Sequence, residues 1–534
     1  MKANKWFAAA MTVTMAGGLL AGCGGGEKEA KGKAEGNVNA TGFPIVKEPI
    51  TLKFFTGKSA TTANDWSQTM LWQEYAKMTN VNVDFQLIPF DARTEKRNLA
   101  LASGDYPDAF YTAAIPREDV QKYGSQGTFI KLNDLIDKYA PNFKKLMDQY
   151  PDLKKGITMP DGGIYTFPQF FDPEFTSVRV GKLWINKDWL AALNMKEPTT
   201  TDELYAYLKA VKTTDLNKNG KNDEIGYGAK GVASLLSFLN GSFGLNTRGS
   251  NHAHVDIDPA TKQLRFIKTD DRYKEQLQFV NKLYKEGLLD PEIFTINDNQ
   301  FFAKGAQTVY GTMSVSSPVT LMKQTAYVGT PVLKGPRGDQ MFTGIGSPVA
   351  TLGSFAITDK NKNPEATVRW IDYFYGEEGA KMFFLGFKDK SYKELPDGNY
   401  EYTDEIAKNP NGLTLEQALV KYVTWPGGGY PSIVRQKTFK GAESLPESVA
   451  AAEKYKPYLI KDIWPPFTYA EEDLEKMRAI ENDINTYITE TQAKFIKGDL
   501  PFTEWDNYKA TLKKMGVDEY MKIYAKTKDA LKLN

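Results

Sequence analysis

The chain of 534 residues has a single cysteine, Cys23, and two histidines, His252 and His254. One thiol at the N-terminus excludes internal disulfides, a cysteine-ligated zinc and a thiol nucleophile in the body of the protein. Two histidines leave little for a metal hydrolase. Without nearby carboxylates at ligand spacing, the pair is expected in a solvated loop. An excess of either charge is also missing: Lys plus Arg total 67 against 66 Asp plus Glu. That balance excludes a dedicated nucleic-acid binder, which needs a basic excess to meet phosphates. Apolar runs long enough to cross a membrane are lacking beyond the N-terminus. What the chain does have is 13% aromatic residues and 27 prolines, a globular composition rich in loops and rings. Its length points to two or three domains.

Residues 1–22 read as a lipoprotein signal peptide. Lys2 and Lys5 precede an uncharged apolar stretch, and Leu20-Ala21-Gly22-Cys23 resembles a lipobox. The resemblance implies lipidation of Cys23, cleavage before it and an acyl (palmitate-type) anchor. Losing the two leader lysines takes the formal charge from +1 to −1. Residues 23–42 carry almost nothing to bury and read as the anchor and a flexible tether. Two or three acyl chains hold such a protein at the cell membrane without a spanning helix.

In the body, Ile50, Leu52 and Phe54, then Val81, Val83, Phe85 and Leu87, alternate as half-buried strands do. A helix over Trp66–Thr79 between them makes a βαβ unit, followed by a strand at Ala109–Tyr111. Thr200 with Glu203 forms a capping box that starts a helix ending near Thr213. Further apolar stripes run from Tyr273 to Gly287 and from Asn363-Pro364 through Tyr375. From Glu471 the pattern is mostly helical.

The segment from Asp215 to Glu224, DLNKNGKNDE, spaces oxygen ligands as a calcium loop does. Asp215, Asn217 and Asn219 offer side-chain oxygens, Gly220 allows the sharp turn, Lys221 offers its carbonyl and Asp223 a carboxylate. Glu224 stands at position 10, where an EF-hand has its glutamate at 12. The motif is EF-hand-like, and an oxygen-only shell favours structural Ca²⁺ over Mg²⁺. The competing interpretation is a polar turn.

Several segments in order resemble one family: Leu101–Asp108, Asp161–Pro168, Trp184–Leu190, Pro198–Leu204 ahead of the calcium decapeptide, and Trp370–Gly379. On them the chain is similar to the carbohydrate-type, family 1 solute-binding lipoproteins of bacterial ABC importers, the group of alginate-oligosaccharide-binding proteins and LplA/LipO-like lipoproteins. The resemblance implies an α/β, two-lobe periplasmic-binding-protein fold of type II-like form, with an interlobe ligand cleft and a helical C-terminal end. It implies a first-lobe segment at 43–170, a second-lobe segment at 171–345 bearing the calcium loop away from the cleft, and a return to the first lobe at 346–425. Residues 426–534 then belong to the second lobe. The crossovers fall near Phe170–Lys182, Met341–Gly346 and Tyr422–Tyr430. It further implies a non-catalytic receptor that passes an oligosaccharide to two permease subunits and a cytoplasmic ATPase. A monomer on the outer face of a Gram-positive membrane is expected.

A sugar site needs aromatic platforms flanked by paired donors and acceptors. The candidates are Trp66, Tyr111, Phe167, Trp184, Trp425, Tyr430 and Trp464, with Phe171 beside them, and each also fits a core position. Trp425-Pro426-Gly427-Gly428-Gly429-Tyr430 stands out, because its glycines permit close backbone approach. Arg93, Arg117, Arg179 and Arg337 suit a uronate carboxylate or plain solvation. The alternative function is a surface glycoside hydrolase or lyase, which shares such aromatics but lacks a localised acid pair here. Arg337-Gly338-Asp339 is a chance tripeptide.

Overall fold

A computed structural model describes residues 36–258 and 261–533; Cys23 and the leader lie outside them. Fourteen strands are present among the described residues. They are β1 (Ile50–Lys58), β2 (Val81–Pro89), β3 (Ala109–Ile115), β4 (Thr166–Phe171), β5 (Leu183–Asn186), β6 (Ile225–Gly228) and the hairpin β7 (Val255–Ile257) with β8 (Leu264–Phe266). There follow β9 (Tyr310–Ser314), β10 (Tyr327–Gly329), β11 (Val349–Ile357), the hairpin β12 (Tyr392–Glu394) with β13 (Tyr400–Tyr402), and β14 (Ile433–Val434).

Two sheets define two lobes. The first has the order β14-β4-β11-β3-β1-β2 and the second β10-β5-β9-β6. β1 runs parallel to β2, in register from Ile50 opposite Val81 to Lys58 opposite Pro89, and parallel to β3. A parallel pair needs a crossover, and the helix Met70–Thr79 supplies it. The expected helix over Trp66–Thr79 is interrupted at Thr69, whose extended backbone (ψ 143°) separates a 3₁₀ turn at Trp66–Gln68 from the helix proper. β11 lies antiparallel between β3 and β4.

The chain passes between the lobes three times. One core gathers residues from Ile45 to Phe175 and from Val349 to Phe439. A second gathers Val180 to Ile345 and Ala452 to Tyr524. Segment 426–434, expected in the second lobe with a crossover at Tyr422–Tyr430, belongs instead to the first. Ile433 and Val434 pair in parallel with Phe170 and Phe171 at the open edge of β4. Tyr430 and Phe439 are buried in the first core, so the third passage comes after Phe439. The glycines that resemble a linker form a tight loop, with φ of +92°, +87° and +82° at Gly427, Gly428 and Gly429.

Local signals otherwise placed their elements well. Thr200 Oγ1 accepts from the Glu203 amide at 3.1 Å, while Glu203 Oε2 accepts from the amides of Thr199 and Thr200 at 2.7 and 3.2 Å. The helix so capped spans Thr201–Lys212. At the C-terminal end, helix Glu471–Lys497 lies on helix Asp271–Lys285. Asn281 Nδ2 donates to the carbonyls of Phe495 and Ile496, both at 2.9 Å, which satisfies two groups in the helix's last turn.

Candidate functional site

The parallel strands β1, β2, β3, β4 and β14 all end at the same edge of the first sheet, and the passages to the second lobe leave from that edge. Sites in open α/β sheets lie outside the carboxyl ends of their strands. The cleft is therefore built from the residues that follow these ends.

The end of β3 is strained. Thr112 and Ala114 adopt φ of +49° and +46°, which costs of order 1–3 kcal/mol for each non-glycine residue. Two arginines of helix Phe90–Ser103 hold this conformation. Arg97 Nη1 donates to the Ala113 and Ala114 carbonyls at 3.0 and 2.7 Å, and Arg93 Nη1 donates to the Thr112 carbonyl at 3.2 Å. Burial pulls both guanidinium pKa values down. Gly57 in β1 is required beside them, since a Cβ there would sit 2.4 Å from the Thr112 carbonyl oxygen.

Trp66, Tyr111 and Tyr430 are buried in the first core and meet at this edge around one recess of about 10 Å³, room for about one water, with Phe90, Thr424 and Gly428. The hydroxyls of Tyr111 and Thr424 are buried without partners. Burial raises the Tyr111 pKa well above its ordinary value. A Cβ on Gly427 would fall 2.1 Å from Ser59 Oγ, so the glycine loop lies directly on the segment after β1.

The other candidate rings go elsewhere. Phe167 is enclosed by Phe143, Phe355 and Tyr375 in the first core. Trp425 packs on Phe439 and donates from Nε1 to the Phe384 carbonyl at 2.9 Å. Trp184 lies in the second lobe's sheet, its Nε1 donating to the Val315 carbonyl at 2.8 Å. Trp464 stacks on Phe467 and lines a 410 Å³ cavity at the crossovers with Tyr150, Phe170 and Arg179. Phe171 is half-buried beside the first core.

Of the four arginines, Arg179 binds the crossovers together. Its Nε donates to the Gly346 carbonyl at 3.0 Å and its Nη1 to the Pro173 carbonyl at 3.1 Å, and burial pulls it down to about 10. Ser177 Oγ reaches the third passage through the Glu443 carbonyl at 2.7 Å. Arg337 pairs with Glu275 on the surface. Arg117, just past β3, donates from Nη1 to Thr468 Oγ1 of the second lobe at 2.6 Å. This lobe-to-lobe contact joins residues 351 positions apart, and no local pattern announced it.

His252 and His254 are not in a solvated loop. Both pack under the second lobe's C-terminal helices: His252 Nδ1 bonds Tyr524 Oη and its Nε2 the Pro465 carbonyl at 3.0 Å, and His254 Nε2 bonds Asn485 Oδ1 at 2.6 Å. Burial lowers each to about 4.

The acidic loop connects helix Thr201–Lys212 to β6 in the second lobe. Asp215 accepts from the amides of Asn219 and Gly220 at 3.1 and 3.0 Å, and Glu224 Oε1 from those of Leu216 and Asn217 at 2.7 and 2.9 Å. The Asn217 and Asn219 side-chain amides donate to Asp223 and hold its carboxyl below the usual range. Lys221 donates its backbone amide to Asn219 Oδ1 at 2.8 Å, and Lys218 and Gly220 turn the chain with φ of +59° and +79°. Among the described residues no three His, Cys, Asp or Glu side chains converge as a metal cluster. Glu224 Oε2 is nevertheless buried and unpartnered. An all-oxygen loop with one orphaned carboxylate oxygen fits a hard cation.

Two α/β lobes with three passages and a cleft at the strand ends define a solute-binding protein. The chain belongs to the bacterial extracellular solute-binding proteins, whose family model matches residues 59–381. It is 32% identical, over all of both chains, to the fructooligosaccharide ABC transporter substrate-binding protein FusA of Streptococcus pneumoniae. A solved structure of S. pneumoniae FusA in complex with kestose superposes with a TM-score of 0.75 at 29% identity, covering 90% of this chain and 99% of that one. A FusA EF-hand mutant in complex with fructo-nystose superposes with 0.74, at the same identity and coverage.

Proposed function

We propose that this protein captures a neutral oligosaccharide of the fructan class between its lobes and delivers it to an ABC importer of two permease subunits and a cytoplasmic ATPase. The full-length relation to FusA carries this proposal. The fold supports it: the parallel strands of the first lobe end at the edge from which the passages to the second lobe leave, where open α/β sheets bind their ligands. Titration calorimetry with kestose, nystose and polygalacturonate tests it. Binding of one fructan per chain is expected, with the sugar recovered uncleaved, and heat from polygalacturonate alone overturns the fructan assignment. Tyr111→Phe is expected to leave the melting temperature unchanged or raise it, because the buried hydroxyl has no partner in the protein; a melting temperature lowered by several degrees would contradict the orphaned hydroxyl.

Ca²⁺ is the proposed occupant of the loop Asp215, Asn217, Asn219, Lys221, Asp223 and Glu224, with a structural role. The orphaned Glu224 oxygen and the EF-hand named for the FusA mutant support it. Attachment through a lipid on Cys23 is proposed from the lipobox. No described helix is long and apolar enough to cross a membrane. A Cys23→Ser variant is expected in the culture medium; its retention in the membrane fraction would refute the anchor.

A further inference from the structure

The chain contains three Asn-Gly pairs, Asn219-Gly220, Asn240-Gly241 and Asn411-Gly412. Such a pair can react with itself. Glycine has no Cβ to keep its amide nitrogen away from the carboxamide carbon of the asparagine before it, and its backbone rotates freely. What surrounds the carboxamide and the amide decides whether they meet.

In two pairs the fold holds them apart. Asn219 Nδ2 donates to Asp223 Oδ1 and Oδ2 at 3.1 and 3.0 Å, its Oδ1 accepts from the Lys221 amide at 2.8 Å, and the Gly220 amide donates to Asp215 Oδ2 at 3.0 Å. Asn240 is buried, with its Oδ1 accepting from Gln276 Nε2 at 3.1 Å. Gly241 is pressed against Met341, where a Cβ would lie 1.9 Å from the carbonyl oxygen, so the turn needed for attack has no room.

Asn411 is different. It sits on an exposed turn of the first lobe, between helix Asp404–Ala407 and helix Leu415–Leu419. Its backbone amide donates to Asn409 Oδ1 at 2.9 Å, but its carboxamide has no hydrogen bond among the described residues. Gly412 is exposed, with nothing within 4 Å of where a Cβ would stand. Its amide makes one bond, to the Asn409 carbonyl at 3.1 Å, and that is the one bond the reaction has to break.

We propose that Asn411 is a spontaneous modification site of the folded protein. The Gly412 amide nitrogen gives up its proton and attacks Asn411 Cγ; the Cγ–Nδ2 bond breaks, and ammonia leaves with a proton from water. Water then opens the succinimide ring at one of its two carbonyls. Opening at Cγ leaves aspartate, and opening at the backbone carbonyl leaves isoaspartate, with no oxidant or reductant consumed. Isoaspartate routes the backbone through one extra carbon just ahead of the capping box in which Thr414 Oγ1 accepts from the Gln417 amide at 3.3 Å and Gln417 Oε1 from the Thr414 amide at 2.9 Å. The helix so capped places Leu419 in the first core. Directly after it, the carbonyls of Lys421 and Tyr422 accept from the amides of Met70 and Leu71, both at 3.0 Å, in the first turn of the crossover helix. Modification at the turn therefore loosens the first lobe.

Ageing the purified protein in mildly alkaline buffer tests this, with each Asn-Gly peptide followed by mass spectrometry for a gain of about 1 Da and by enzymatic methylation of isoaspartate. Asn411 is expected to convert at least about tenfold faster than Asn219 and Asn240, because each hydrogen bond that must break first costs several-fold in rate. In urea the three rates should converge, since the fold alone separates them. If Asn411 is no faster than the other two in the folded protein, the site is wrong. Aged wild type is expected to melt below fresh protein, while aged Asn411→Gln keeps its melting temperature. Full conversion at Asn411 with an unchanged melting temperature would overturn the coupling to the first lobe.

Discussion

The two histidines show how far a residue's environment can depart from its neighbourhood in sequence. His252-Ala253-His254 has the polarity of a loop, yet His252 is covered by Trp464, Phe467 and Tyr524, and burial depresses its pKa to about 4. An unfolded histidine titrates near 6.5. The folded state therefore resists protonation, and the stability this confers is present above about pH 6.5 and is lost as pH falls toward 4. One such group contributes a loss of about 3 kcal/mol across that window. Urea unfolding at pH 7 and pH 4 is expected to show a correspondingly smaller acid loss in His252→Gln than in the wild type. Equal losses in the two proteins would contradict the buried neutral imidazole. At the same scale, Thr424 entered the description of the site only through its unpartnered hydroxyl, a property that depends on every neighbour.

Among the elements, those with local causes were legible. Alternation marked β1 and β2, a capping box marked the helix from Thr201, and Pro364 stood at the first turn of the helix ending at Asp372. Elements with distant causes were not. β14 is two residues long and exists because β4 offers an edge, so the glycine loop ahead of it looked like a lobe boundary. The same loop carries a prediction. Gly427 has φ of +92° and faces Ser59 Oγ, which makes a side chain there both strained and obstructed. Gly427→Ala is expected to destabilise the first lobe by more than about 1 kcal/mol and to weaken fructan binding, because the loop borders the recess. Chemical unfolding and calorimetry on the purified variant check both effects, and a variant with wild-type stability would contradict the loop geometry. The positive φ values at Thr112 and Ala114 had no signal in sequence either, since Arg93 and Arg97 enforce them from another element.

On the scale of the whole molecule, two hydrophobic cores are joined by three passages, and the acidic loop belongs to the second alone. If the loop holds Ca²⁺, the ion stabilises the lobe that binds it, by about 2.7 kcal/mol at a hundredfold excess over Kd. Scanning calorimetry after chelation, with Ca²⁺ restored, is expected to raise the second-lobe transition. Asp215→Ala should abolish the rise while leaving fructan affinity unchanged. An unchanged melting profile on adding Ca²⁺ would refute the site. A sugar held between lobes acts differently, because it bridges the two cores and stabilises both.

The sequence by itself determined the α/β class, the starts of the capped helices, the acidic loop and the family, because each is written in residues close together or in segments kept in order. Tertiary structure alone decided which candidate rings pack into which lobe, where the third passage falls and which polar groups lack partners. The reason is physical. An indole or a phenol buries equally well in a core and on a binding wall, and only the packing of residues hundreds of positions apart settles which it does. The lone cysteine, the paired histidines and the balanced charge excluded whole classes of chemistry. They carried no information on how Arg117 of one lobe meets Thr468 of the other.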